Sequence, residues 1–171
     1  VYIAYGGGGL RIVDVSDPTN PQEIGYLQTS GNASDVFVVG NYAYVTQTYC
    51  YDGLLIVDVS DPTSPQLVHG YETAAWTYDV YCSGGYAYLA EDWAGLRILD
   101  VSEPTAPMEI SCYYGNTPHY ATCVQVVDNY AYIADGEAGL RIVDVSDVTY
   151  PQEVGYYDTI GFSESVSYTH L

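Results

Sequence analysis

The run Gly-Leu-Arg-Ile-Val-Asp-Val-Ser occupies residues 9–16 and returns unchanged at 139–146. It returns again at 95–102 with Leu99 in place of Val, and at 53–60 with Leu55 in place of Arg. The anchor leucines Leu10, Leu54, Leu96 and Leu140 are 44, 42 and 44 residues apart, and Pro21, Pro65, Pro107 and Pro151 keep the same spacings. A second block, Tyr-Ala-Tyr plus an aliphatic residue, stands at 42–45, 86–89 and 130–133, and Val1-Tyr2-Ile3 opens the chain as its remnant. Fourfold repetition at this period restricts the chain to stacked units, each burying its apolar surface against its neighbours.

Each unit divides into four short strands. In the unit around Leu96, Asp79–Cys82 forms a first strand, Ser83-Gly84-Gly85 a turn, and Tyr86–Ala90 a second strand of residues suited to a pleated surface. Gly95–Val101 is a third strand, apolar on both faces, as expected of a sheet covered on both sides. Ser102–Pro107 makes a proline-fixed turn, and Met108–Tyr114 is a fourth strand. Four antiparallel strands per repeat of ~42 residues predict an all-β fold, a β-propeller of four-stranded blades. The expected units are a partial blade over 1–29 and blades over about 35–73, 79–114 and 123–158. The stretch 164–168 begins a further blade or closes the first one. A segment of a larger propeller is the favoured expectation for 1–171, and a closed four-blade ring is its competitor.

The string from Leu10 to Pro21, Leu-Arg-Ile-Val-Asp-Val-Ser-Asp-Pro-Thr-Asn-Pro, resembles the LVIVD repeat of bacterial and archaeal secreted or cell-surface proteins. The resemblance covers residues 1–166. It implies a propeller and an extracellular or cell-surface location. It carries over no catalytic residue, and no cofactor is expected.

Charge narrows the partners. The 22 acidic and 3 basic side chains give a net charge of −19, and there is no Lys. Nucleic acid and anionic membrane surfaces are therefore poor partners. No apolar run approaches the ~18 residues of a membrane-spanning helix. Arg11, Arg97 and Arg141 share one repeat position, which points to structural ion pairs. The first-strand carboxylates Asp35 and Asp79 are the expected partners, Asp79 before Asp100 for Arg97. Asp17, Asp61, Glu103 and Asp147 stand before Pro or Val148 as turn residues. Calcium is conceivable among so many oxygens, but no Asp-x-Asp-x-Asp-Gly loop exists and no metal site is assigned. Cys50, Cys82, Cys112 and Cys123 fall in different repeat positions, matching no zinc motif; Cys112 with Cys123 is the one pair close in sequence.

Two insertions break the period. One lies in Thr46–Asp52, between second and third strands, and the other in Gly115–Tyr120, between blades. Strand alternation puts both on one face, and insertions on one face often mark where a repeat protein binds. That face carries Tyr49, Tyr51, Asp52, Trp76, Asp92, Trp93, Asn116, His119, Tyr120, Asp135 and Glu137. Aromatic platforms beside carboxylates suit a glycan or a neutral or cationic protein surface. Trp76 is expected to serve the blade junction more than binding. The expected function is a non-enzymatic scaffold for protein or glycan binding. The alternative is a propeller-type hydrolase, lyase or dehydrogenase with its site outside or incompletely within these residues.

Overall fold

A computed structural model describes residues 1–115 and 120–169. The first sheet holds β1 (Tyr2–Ala4), β2 (Leu10–Asp14) and β3 (Gln22–Leu27). The second holds β4 (Asn32–Val39), β5 (Tyr42–Thr48), β6 (Asp52–Asp58) and β7 (Gln66–Glu72). The third holds β8 (Asp79–Ser83), β9 (Tyr86–Glu91), β10 (Gly95–Asp100) and β11 (Met108–Tyr113). The fourth holds β12 (Ala121–Val127), β13 (Tyr130–Asp135), β14 (Leu140–Asp144) and β15 (Gln152–Tyr157). Every strand pairs antiparallel with its sequence neighbour inside its sheet, and the described residues contain no helix.

The third strand of each blade explains the stacking. Leu54 and Ile56 of β6 pack into one core with Val80, Leu89 and Leu99 of the next blade. Leu55 and Val57, on its other face, pack into a second core with Leu10 and Ile12 of the preceding blade. Leu96 and Ile98 repeat the arrangement with Val124, Ile133 and Val143. Alternation along a strand sends neighbouring side chains to opposite faces, so a strand apolar at every position can only serve two joints.

Polar bonds register the joints. The Asp35 carboxylate accepts from the Val80 amide at 3.3 Å, and the Asp79 carboxylate accepts from the Val124 amide at 2.7 Å. Further out, the Tyr71 hydroxyl donates to Glu109 of the next blade, and Tyr113 donates to Glu153 in the same way. The turn acids behave as expected: Asp17, Asp61 and Asp147 each accept from the amide and hydroxyl of the threonine two residues on.

Residues 163–168 run beside β12. Ser163 bridges Gly136, its carbonyl accepts from the Thr122 hydroxyl at 3.0 Å, and the Tyr168 amide donates to Gln125 at 3.0 Å. The stretch thus sits against β12 as β12 sits against β8. Among the described residues no ladder joins it to β1, so the blades form an open arc and the four-blade ring is not formed.

The arginines correct an expectation. Arg97 pairs with Glu91, Nε to Oε1 at 2.6 Å, and with Glu109. Arg141 lies 3.2 Å from Asp158 and 4.0 Å from both Asp135 and Glu153. Arg11 reaches Glu23 at 3.3 Å and stacks over Tyr26. Asp79 is excluded by parity: it faces Ala90, which faces Leu96, so it lies on the opposite side of the sheet from Arg97 and one strand further away. Glu91 faces Gly95 and Glu109 faces Leu99, both on the arginine's own side. Asp35 likewise serves the blade joint, where Asp79 is its neighbour, and pairs with no arginine among the described residues.

Candidate ligand-binding face

The loops joining second to third strands, and those joining successive blades, lie at one end of the arc. In blades 1, 3 and 4 the former is a four-residue turn closed by a glycine of positive φ: Gly9 at 73°, Gly95 at 73° and Gly139 at 80°. In blade 2 the insertion lengthens it, and buried Gln47 holds it in shape. Its side chain accepts from the Gly31 amide at 2.9 Å and donates to the Asp52 carbonyl at 2.5 Å. The blade 2–3 connection is braced by Thr73, whose hydroxyl donates to the Ala75 carbonyl at 2.9 Å, and by fully buried Thr77.

Between these segments lies an open cleft of about 440 Å³, lined by Cys50 and Tyr51 of the long loop, Thr73–Trp76 of the connection, and Asp92 with Trp93 of the blade 3 turn. Tyr49 packs on Trp76 with ring centroids 4.4 Å apart, steadying the indole from behind. Three of the expected residues, Tyr51, Asp92 and Trp93, therefore meet in one place. Trp76, also expected on this face, joins them as a lining residue and is 40% exposed.

Asp92 is the unusual member. It adopts φ 33°, a left-handed conformation, at the position held by Gly6 and Gly136 in two other blades. A non-glycine residue there costs about 1–3 kcal/mol. Its carbonyl accepts from the Ala121 amide at 3.0 Å, tying the turn to the next blade. Burial pushes its carboxyl above the ordinary range. Burial, followed by the Asp92 charge, pushes the nearby Tyr78 phenol up as well. The cleft's thiol, Cys50, is also held up by burial, which keeps it protonated.

The remaining expected residues are dispersed. Tyr120 lines a separate cleft of about 400 Å³ that also touches Asp92. Asp52 pairs with Glu72 across β6 and β7 and does not line the aromatic cleft. Asp135 is a correction: it is 1% exposed, accepts from the Tyr120 amide at 2.8 Å and faces Arg141, so it belongs to the scaffold. Glu137 is exposed on the blade 4 turn, apart from either cleft. Asn116 and His119 lie outside the described residues. The four cysteines are free thiols. No group of three or more His, Cys, Asp or Glu placed to hold a metal occurs among the described residues.

Blades stacked through the inner strands β4, β8 and β12, with an indented loop face, define a β-propeller-type repeat protein. The solved structure of the computationally designed Ika8 protein is similar to this chain, with a TM-score of 0.75 at 10% identity. The match covers 99% of this chain and 49% of that one, so the chain spans about half the length of the designed protein. The LVIVD repeat family matches at residues 1–29, 30–73, 76–114 and 118–159, and the chain belongs to that family. No curated protein matches the chain.

Proposed function

We propose that this protein is a non-enzymatic binding scaffold of an exported or cell-surface protein, and that the cleft between blades 2 and 3 takes a neutral glycan. The observation that supports this most is the convergence of Tyr51, Trp76 and Trp93 beside Asp92 in an open cleft of about 440 Å³. Flat rings at the rim of a shallow cleft stack on sugar faces, and a carboxylate among them accepts from hydroxyls. The charge of −19 disfavours sulfated or phosphorylated ligands. A protonated thiol and the placement of His69 on outer strand β7, away from the cleft lining, support binding over nucleophilic chemistry.

The test is a glycan array probed with the protein and with a Tyr51→Ala, Trp93→Ala double variant. Neutral glycans bound by the first and lost by the second are expected. Equal retention by both, or a preference for sulfated glycans, would overturn the proposal.

A further inference from the structure

We propose a second site, for a small organic ammonium ion, at the loop-face end of the inner strands. Four successive units contribute the same three positions there: Ser34-Asp35-Val36, Tyr78-Asp79-Val80, Thr122-Cys123-Val124 and Glu164-Ser165-Val166. The third position is valine every time, because Val36, Val80 and Val124 pack in the blade joints. The first position is different in every unit, and those four side chains converge on one cleft of about 400 Å³. The valine that packs in the joints is kept, whereas the position that faces the cleft is not. A position that varies while pointing into a shared cavity fits a site assembled blade by blade.

The chemistry of that cleft is aromatic and anionic. Tyr120 and Phe162 occupy equivalent positions two residues before Thr122 and Glu164, with ring centroids 6.2 Å apart and planes tilted by 48°. The Phe162 ring and the Tyr120 Cβ both lie against Gly136, where an added Cβ would come within 2.9 Å of the ring and 2.8 Å of the Tyr120 Cβ. Tyr78 supplies a third ring, and Asp92 and Glu164 supply two carboxylates. Among the described residues neither carboxylate has an ion pair or side-chain hydrogen bond, and none of those lining the cleft is basic. Asp92 is held there in a strained conformation that glycine, at the same position of two other blades, adopts freely. Rings with uncompensated carboxylates attract a cation through both ring quadrupole and charge. A hard metal ion instead needs about six or more oxygens, which rings do not provide. The site goes beyond the proposed glycan cleft and shares only Asp92 with it.

Titration calorimetry with choline and with its uncharged carbon isostere tests this. Choline is expected to bind saturably, and the isostere at least about tenfold more weakly. Asp92→Gly, which relieves the backbone and preserves folding, is expected to weaken choline about tenfold, and so is Tyr120→Leu. Trp93→Ala removes an indole from the glycan cleft and leaves choline binding unchanged, so failure of one proposal does not carry the other with it. Equal binding of the isostere, absence of saturable choline binding, or indifference to both Asp92→Gly and Tyr120→Leu would overturn the site.

Discussion

At the scale of single residues, the ion pairs are substituted as a set. Arg97 is 6% exposed and touches Glu91, which is fully buried, and Glu109. In blade 2 the three equivalent positions are Leu55, Gln47 and Leu67, so charge is removed from all three together. Blade 1 has Tyr5 in place of the second-strand acid, and there Arg11 lies over the Tyr5 ring at 6.0 Å. Tyr71 and Tyr113 donate to Glu109 and Glu153, whereas Leu27 occupies their position in blade 1, next to the blade that carries Leu67. This matching was legible in the repeats, because Glu23, Glu109 and Glu153 occur only where the arginine does. Distance along the strands pointed to Asp79 instead, since it ignored which side of the sheet each residue faces. Arg97→Leu alone strands the Glu91 carboxylate in the core and is expected to cost about 3–5 kcal/mol in urea unfolding. Adding Glu91→Gln and Glu109→Leu copies blade 2 and should return the protein to within about 1 kcal/mol of the parent. Equal stability of the single and triple variants would refute the pairing.

At the scale of elements, the closing glycine of the short turn carries a specific demand. A Cβ on Gly95 would stand 2.3 Å from the Tyr113 carbonyl oxygen, and Gly9 and Gly139 meet Leu27 and Tyr157 in the same way. The turn from β9 to β10 therefore closes against the start of the connection after β11, which aims Asp92 and Trp93. Gly84 also has positive φ, at 61°, but nothing lies within 4 Å of its Cβ position. Gly95→Ala is expected to lose at least about 2 kcal/mol, combining left-handed strain with a backbone clash. Gly84→Asn should stay within about 1 kcal/mol, because asparagine tolerates that conformation. Comparison of their urea midpoints decides the matter, and coincident midpoints would refute it. The loop face was legible from the Thr46–Asp52 insertion; the second insertion, at Gly115–Tyr120, lies largely outside the described residues. Within that face, the turn residues at 92 and 93 stand out where blades 1 and 4 have Gly-Gly and Gly-Glu.

At the scale of the whole molecule, the joints between inner strands titrate. The Val80 amide donates to Asp35 at 3.3 Å and to Asp79 at 3.0 Å, so two carboxylates from adjacent blades share one donor. Burial, then the neighbouring Asp79, raises the Asp35 pKa from 3.8 to about 7. Between those values the folded chain holds a proton that the unfolded chain releases, so acid favours folding across this window. The contribution is lost as pH rises through about 7. Asp35→Asn removes that term. The difference in Tm between variant and parent should therefore shift in the variant's favour as pH rises from about 5 to about 7.5. A constant difference across the window would refute the raised Asp35 pKa. General repulsion among the other acids acts on both proteins alike and drops out of the comparison.

The sequence by itself determined the repeat, the four-strand unit, the order of strands and the double-faced third strand, because periodicity and alternation are local consequences of backbone geometry. It also placed the Thr46–Asp52 insertion on the loop face. The fourth-strand glutamates could be read from their co-occurrence with the arginines. Only the tertiary structure decided that Arg97 also meets Glu91 and that Arg141 also meets Asp158, because strand pairing sets which side chains share a face. It alone also brought Ser34, Tyr78, Thr122 and Glu164, each about 40 residues from the next, to the rim of one cleft. No spacing within a unit encodes a contact made only when the inner strands of successive blades are packed side by side.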